Sequence, residues 1–256
     1  MLELSSGQYF TVYNVLSFTI ASMFGAFIFF LGARSQVGEK YRPALLISAV
    51  VVAIAGYHYF RIFDSWTHAY ALADGGIYKA TGAVFNDAYR YVDWLLTVPL
   101  LLIELVAVLA LAKSDREGLF GKLAIAAFLM IALGYPGEIA SDMTTRAIWG
   151  ALSTVPFVYI LYILWGKLGK AMDAQTPQVR VLLRNIRLLL IATWGFYPIT
   201  YMLPMFGIPP QSSVVGIQVG YAISDVLAKA FYGVMIYWIA RAKSEADGSL
   251  PAGSAH

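Results

Sequence analysis

The sequence predicts an all-α membrane protein, a single bundle of seven transmembrane helices. Its 256 residues are 59% hydrophobic and only 13% charged, which is more apolar than a soluble domain of this size requires. The apolar residues are also grouped into seven stretches, each long enough to cross a bilayer, a distance that takes about 20 residues.

The seven predicted spans are joined by short connections, except that the second connection, 64–86, is long. The spans run over Thr11–Leu31, Pro43–Phe63, Asp87–Ala112, Leu119–Ala140, Arg146–Gly166, Arg180–Phe206 and Val214–Ala240. Gly75 and Gly76 predict a hairpin turn in the long connection. We predict one domain over 1–243 and a disordered cytoplasmic tail over 244–256, which is polar and rich in small residues.

The distribution of Lys and Arg predicts the orientation. Thirteen basic residues lie towards one end of the spans: Arg34, Lys40, Arg42, Lys113, Arg116, Lys122, Lys167, Lys170, Arg180, Arg184, Arg187, Arg241 and Lys243. Four lie towards the other end: Arg61, Lys79, Arg90 and Arg146. Because cytoplasmic ends carry the excess, the N-terminus is predicted outside the cell and the C-terminus in the cytoplasm. Lys229, deep in the seventh span, belongs to neither end.

The composition argues against several classes of protein. Cysteine is absent and there are three histidines, so a disulfide framework is impossible and a metal site is not expected. The net charge of +3 comes without a basic tract, so no nucleic-acid partner is expected. There is no nucleophile beside a base and no nucleotide-binding glycine loop, and an enzyme is therefore not expected.

The third span carries a polar stripe of Arg90, Asp93, Thr97 and Glu104 at intervals of three, four and seven residues. At the pitch of an α-helix, Asp93 and Glu104 differ in direction by about 20° and are separated by about 16 Å along the axis. A polar stripe can simply hold helices together. Two carboxylates on one line, each costly to place in a bilayer, favour a proton path instead.

In the seventh span, Asp225 and Lys229 are four residues apart and share one helix face. An interior ion pair is one interpretation. The other is that a desolvated lysine loses its proton, forms a Schiff base with an aldehyde, and has Asp225 and Asp93 as counter-ions. Both interpretations are open on these residues alone. His58, in the middle of the second span, needs a polar partner, and a buried histidine with a satisfied hydrogen bond is its default interpretation.

Three motifs, taken in order, resemble the microbial rhodopsins: RYVDWLLTVPLLLIE in span three, WGFYP in span six and SDVLAK in span seven. The resemblance implies that Lys229 carries retinal as a protonated Schiff base, with Asp93 as proton acceptor and primary counter-ion and Asp225 as second counter-ion. Arg90 would organise the outward side, and Glu104 would be the cytoplasmic proton donor. The set of Asp93, Thr97 and Glu104 looks like that of outward proton pumps.

Within that family, the stretch GYHYFRI is similar to the proteorhodopsin and xanthorhodopsin group, and it implies that His58 bonds to Asp93. The retinal pocket implied by the resemblance comprises Trp94, Leu101, Met130, Gly134, Trp194, Tyr197, Pro198 and Asp225. Leu101 stands where a leucine favours green rather than blue absorption.

Gly150, in WGALSTVPF of span five, stands where many members of that family have a second bulky tryptophan. In xanthorhodopsin-like proteins, such a glycine opens the retinal ring to a carotenoid antenna. The alternative is that Gly150 only allows close helix packing.

The resemblance further implies a multi-pass protein of the prokaryotic plasma membrane, surrounded by lipid, that transports protons and forms a homo-oligomer, a pentamer or hexamer. The segment from Phe206 to Tyr221 contains no Asp or Glu, so paired outer carboxylates that release a proton early are missing there. Glu138, in GYPGE, is one candidate for the release step and an interfacial residue otherwise. Two rival functions are a sensory rhodopsin that signals to a membrane partner and a seven-helix transporter or receptor without a chromophore.

Overall fold

A computed structural model describes residues 2–109, 113–173 and 175–251. Within them, seven helical segments are long and apolar enough to span a membrane, which confirms the predicted fold class. Six spans are α1 (Ser6–Ala33), α2 (Arg42–Ala69), α3 (Ala88–Leu109), α4 (Lys113–Glu138), α5 (Met143–Asp173) and α6 (Pro177–Met202). The seventh comprises α7 (Pro210–Asp225), a π-helical segment (Val226–Phe231) and α8 (Tyr232–Ala246). Residues 110–112 of the predicted third span lie outside the described residues.

Several helix starts follow from the local sequence. Ser5 caps α1 by accepting a hydrogen bond from the Gln8 backbone N–H, and the Gln8 side chain accepts one from the Ser5 N–H. This reciprocal pair satisfies two N–H groups that the first turn leaves free. Helix α7 begins at Pro210, where proline costs no intrahelical hydrogen bond.

The outer surface of the bundle is apolar, as a lipid-facing surface must be. Large hydrophobic side chains are exposed along the spans, including Phe18, Ile28, Val155, Tyr162 and Leu188. The interior instead holds charged side chains, among them a buried arginine, a buried lysine and three fully buried carboxylates. Since patches of exposed apolar side chains are unfavourable in water, this inverted distribution supports a bilayer environment.

A small antiparallel sheet covers the end of the bundle where α1 begins, which we call the N-terminal face. Its strands β1 (Glu3–Ser5), β2 (Tyr70–Ala73) and β3 (Ile77–Ala80) are ordered β1-β3-β2. The β2–β3 hairpin confirms the turn predicted at Gly75 and Gly76, which adopt φ values of 78° and 74°. The pairing of β1 with β3 was not predicted.

At the opposite end, the C-terminal face, helix continues past residue 243, where the predicted domain ends. Helix α8 continues to Ala246, and the hydroxyl of the buried Ser244 accepts a hydrogen bond from the Gly38 N–H. Asp247 forms an ion pair with Lys40 at 2.6 Å and accepts a hydrogen bond from Tyr41 at 2.5 Å. These bonds lower the pKa of the Asp247 carboxyl. The chain is thus tied to the bundle beyond residue 243, while 252–256 lie outside the described residues.

Short 3₁₀ turns complete the connections. They are Arg34–Gln36, Glu39–Tyr41, Asp74–Gly76 and Leu203–Phe206. The π-helical segment differs from these because it lies inside a span and contains Lys229. A π-bulge widens one helical turn and is frequent at functional sites.

Candidate functional site

Lys229 lies at the centre of the site, with carboxylates from two helices around its amine. Its Nζ donates to Asp225 at 2.9 Å within its own span and also to Asp93 of α3. All three side chains are at most 1% exposed. A buried cation between two buried anions is expensive to desolvate and is tolerated when each group is paired. The site therefore joins the two charged motifs that the sequence placed on separate spans.

Asp225 is held by three further donors. Its carboxylate accepts hydrogen bonds from Tyr59 at 2.7 Å, from Tyr197 at 2.5 Å and from Trp94 Nε1 at 3.1 Å. Neutral donors that surround a carboxylate stabilise its ionised form and fix its orientation. Asp93 has fewer partners, because its Oδ1 is buried without a hydrogen bond among the described residues. Asp93 is therefore the carboxylate with a free acceptor site.

Arg90 extends towards the N-terminal face and is completely buried. It forms an ion pair with Asp87, a residue that the sequence analysis did not single out, rather than with Asp93. The guanidinium carbon lies 5.6 Å from the ring centres of both Tyr59 and Tyr221, within the range of cation–π attraction. The spacing of three residues between Asp87 and Arg90 is a sequence signal that could have revealed this pair.

Thr97 and His58 lie in the interior, and both are bonded to their own helices. The Thr97 hydroxyl donates to the Asp93 carbonyl at 2.8 Å. The His58 Nδ1 lies 2.9 Å from the Ile54 carbonyl, so this nitrogen carries the ring proton. The predicted His58–Asp93 hydrogen bond is not found among the described residues. The imidazole N–H donates instead to the Ile54 carbonyl, one turn earlier in the same helix.

Glu104 lies on the side of the bundle away from Arg90, fully buried. Its Oε2 accepts a hydrogen bond from Ser48 of α2 at 2.7 Å, and its Oε1 has no partner among the described residues. No ion pair of Glu104 is found in that part of the chain. A buried carboxyl with one neutral donor and no cation is better accommodated as the neutral acid. Ser48 was not identified from the sequence.

A cavity of about 330 Å³ opens beside Lys229, between α3, α4, α5, α6 and the seventh span. Of the pocket residues that the resemblance implied around Lys229, Asp225 does not line the cavity and the other seven do: Trp94, Leu101, Met130, Gly134, Trp194, Tyr197 and Pro198. Gly150, the predicted carotenoid window, lines it as well. Aromatic residues that were not predicted also line it, notably Tyr91, Phe157, Tyr201 and Tyr221. Their distribution over four spans explains why sequence spacing could not reveal them.

The wall of the cavity near α5 is closely packed at two glycines, Gly134 and Gly150. A Cβ on Gly134 would lie 3.3 Å from the Ser153 hydroxyl, and one on Gly150 would lie 2.7 Å from a ring carbon of Tyr201. Gly150 therefore lies tightly against α6, which is the contact that the helix-packing interpretation requires. It also lines the cavity, as the antenna interpretation requires.

The residues present fit a retinal group. Lys229 borders the cavity with its amine between two carboxylates, and the other lining side chains are mostly apolar or aromatic. Pockets for apolar cofactors have this character, with few polar groups that fix orientation. Lys229 would hold the group, and the two tryptophans Trp94 and Trp194 would flank it.

The fold and this site define a seven-helix membrane protein of the rhodopsin class. A comparison with protein families agrees, since the model of the bacteriorhodopsin-like proteins matches residues 11–243. The chain belongs to this family of microbial rhodopsins.

Individual relatives show in more detail which members of the family the chain is similar to. It is 56% identical to xanthorhodopsin, a light-driven ion pump with a dual chromophore, with a TM-score of 0.91 over 97% of this chain and 99% of that one. It is 52% identical to a thermophilic rhodopsin, with a TM-score of 0.92 over 97% and 100% of the two chains. It is also 29% identical to the green-light absorbing proteorhodopsin of Gamma-proteobacterium EBAC31A08, over 89% of this chain and 86% of the relative.

Proposed function

We propose that this protein is a light-driven outward proton pump that carries retinal on Lys229. One observation carries the proposal: the buried Lys229 amine contacts two buried carboxylates, Asp93 and Asp225, beside an apolar cavity. A further buried carboxyl, Glu104, lies on the same helix as Asp93. The likeness to xanthorhodopsin supports the same class of function.

Retinal, bound through the Lys229 nitrogen, would supply light absorption and the isomerisation that changes the access of this nitrogen. The protein supplies the proton-binding groups. Asp93 takes the proton from the Lys229 nitrogen, because it is in contact with that nitrogen and has one oxygen without a hydrogen-bond partner among the described residues. Asp225 is the less available acceptor, since Tyr59, Tyr197 and Trp94 all donate to its carboxylate.

Glu104 returns a proton to the Lys229 nitrogen from the other side. As the neutral acid, with a single hydrogen bond from Ser48, it holds the proton that it will donate. The acceptor and the donor differ in their surroundings, and this difference assigns their roles. A transporter with this order moves protons in one direction and catalyses no chemical conversion of a substrate.

The proposed orientation, membrane location and oligomeric state rest on the family resemblance and on the distribution of charged residues. The excess of Lys and Arg at the C-terminal face supports a cytoplasmic C-terminus and an outer N-terminus. The protein would lie in the plasma membrane of a prokaryote, in contact with lipid, as a pentamer or hexamer.

The test is the pH of an unbuffered suspension of cells that express the protein with retinal, under green light, with and without a protonophore. Acidification that the protonophore abolishes supports outward pumping. A coloured protein that moves no protons would instead support a sensory rhodopsin, and the absence of colour would support a protein without a chromophore.

Replacing Glu104 by glutamine should slow recovery of the pigment by about 100-fold, the low end of what a positioned proton-transfer group contributes. Glutamine keeps the acceptor for Ser48 but carries no proton to donate. Flash photolysis measures the recovery. Glu245→Gln, which neutralises a half-exposed carboxylate at the C-terminal face, is the matched control and should recover normally. An unchanged rate in Glu104→Gln would remove this residue from the scheme.

We further propose that a carotenoid antenna packs against the wall of the cavity at Gly150. Ile148, Leu152 and Val155, on the same helix, are exposed and apolar, which suits a long lipid-soluble molecule. The dual chromophore of xanthorhodopsin supports this proposal for a chain of 56% identity.

Gly150→Trp should abolish energy transfer from an added hydroxylated carotenoid to retinal while the retinal pigment still forms. The indole would displace the Tyr201 ring, which a Cβ at position 150 already meets at 2.7 Å, and would separate the two chromophores. Excitation spectra of retinal fluorescence measure the transfer. Gly166→Trp is the control, since a Cβ on Gly166 of α5 meets nothing within 4 Å. Equal transfer in both variants would contradict an antenna at Gly150.

A further inference from the structure

Glu138 ends α4 at the N-terminal face, and its buried side chain collects donors from three other helices. Its Oε2 accepts hydrogen bonds from Arg146 Nη2 at 3.1 Å, from Tyr221 at 3.2 Å and from Tyr91 at 3.3 Å. Tyr91 and Tyr221 also line the cavity beside Lys229. The carboxylate is therefore connected to the interior of the bundle and is not simply an interfacial side chain.

A second carboxylate, Asp87, lies just before α3, one turn before Tyr91. It forms the ion pair with Arg90, and its Oδ2 lies 3.5 Å from Gln218 Nε2. Tyr221 links the two carboxylates, because its hydroxyl donates to Glu138 and its ring lies 5.6 Å from the guanidinium carbon of Arg90, the partner of Asp87. The N-terminal face thus holds two carboxylates and two guanidinium groups in one network, so its formal charges balance.

The route from Asp93 to this network contains polar atoms that protein groups leave unsatisfied. Nε and Nη2 of Arg90 and Oε1 of Gln218 are buried and have no hydrogen-bond partner among the described residues. Buried polar groups of this kind are normally satisfied by ordered water. The Asp87 side chain, by contrast, is 24% exposed, so the network reaches the surface there.

We propose that Glu138, acting with Asp87, is the outer proton station through which the proton held by Asp93 leaves the protein. The inference rests on the proposed pumping function and deepens it. The proton leaves the Asp93 carboxyl, crosses water around Arg90, binds the Glu138 carboxylate and then passes to the bulk solvent. One O–H bond breaks and one forms at each transfer, and nothing is oxidised or reduced.

The charge balance also sets the time of release. Each carboxylate is paired with its own guanidinium, Asp87 with Arg90 and Glu138 with Arg146. The two guanidinium groups match the two carboxylates, so the network balances without an added proton that could leave early. A proton on Glu138 relieves its repulsion with Asp87. Release consequently follows the deprotonation of Asp93.

The experiment must distinguish proton release by Glu138 from a purely structural role in holding Arg146. Arg146 is already held by backbone carbonyls, with Nε bonded to Tyr201 O at 3.0 Å and Nη1 to Glu138 O at 3.0 Å. The titratable and charged groups that face Glu138 are Asp87 just before α3, Tyr91 on α3, Arg146 on α5, Tyr201 on α6 and Tyr221 on α7. Glutamine at 138 keeps an acceptor for Arg146 but removes the negative charge and the oxygen that binds a proton.

The experiment uses the retinal-loaded protein in vesicles, with a pH-indicator dye on the outer side and time-resolved infrared spectroscopy. Glu138→Gln should delay the dye signal about 100-fold relative to the first proton transfer to Asp93. It should also lack a late carboxylic-acid carbonyl band that is present in the unmodified protein. Glu3→Gln, an exposed carboxylate on the same face paired with Lys79, should change neither.

An unchanged dye signal in Glu138→Gln, with the infrared band intact, would overturn the proton station and leave pumping itself standing. If Glu138→Gln yields no coloured protein, Glu138→Asp keeps the charge, and a delayed or shifted band in that variant supports the proposal while an unaltered one overturns it. A dye signal missing from the unmodified protein would instead contradict the proposed function.

Discussion

Asp93→Asn should abolish light-driven acidification, although a coloured pigment still forms on Lys229. The asparagine amide has nearly the same shape as the carboxyl but cannot take a proton from the Lys229 nitrogen. Asp225 still lies 2.9 Å from that nitrogen and keeps it paired. The measurement is the initial rate of acidification under green light, which should fall to the rate of a protonophore-treated suspension.

Asp93→Glu is the matched control for this variant. It keeps an ionisable carboxyl one methylene further out, so pumping should persist at a reduced rate. Normal pumping in Asp93→Asn would contradict the assignment of the acceptor and transfer that role to Asp225. The structure argues against this transfer because three neutral donors already occupy the Asp225 carboxylate.

The sequence predicted the seven spans well because bilayer thickness and apolar length are tightly linked. All seven observed segments overlap their predicted ranges, and the turn at Gly75 and Gly76 follows from the backbone freedom of glycine. The strand β1 was missed, since three residues carry no periodicity. The helical turn that continues to Ala246 was missed because composition does not reveal bonds such as those from Lys40 and Tyr41 to Asp247.

The site was predictable where its members share a helix, and less so where they meet across helices. The stripe of α3 and the pair Asp225 and Lys229 follow from helical spacing. The contacts between Tyr59 and Asp225, and between Ser48 and Glu104, join distant parts of the chain. Many tyrosines and serines in the spans are equivalent by sequence, so only the packing of the helices selects the ones that reach the carboxylates.

Lys229→Ala should abolish the visible absorption that appears when retinal is added. Alanine has no amine for an imine bond, so the cavity has no point of covalent attachment. The change also leaves the buried Asp93 and Asp225 without their cation, and removing one partner of a buried ion pair costs about 3–5 kcal/mol. A lower melting temperature is therefore expected together with the loss of colour.

Lys229→Arg separates these two effects. Its guanidinium keeps a positive charge between Asp93 and Asp225 but does not form the imine, so we expect a better folded protein that is equally colourless. Borohydride reduction of the unmodified, retinal-loaded protein then tests the attachment directly. The hydride converts the imine to a stable amine, and mass spectrometry should find the retinyl group on the peptide that contains Lys229. A retinyl group on any other lysine would contradict the assignment of the site, because Lys229 is the lysine that lines the cavity among the residues described.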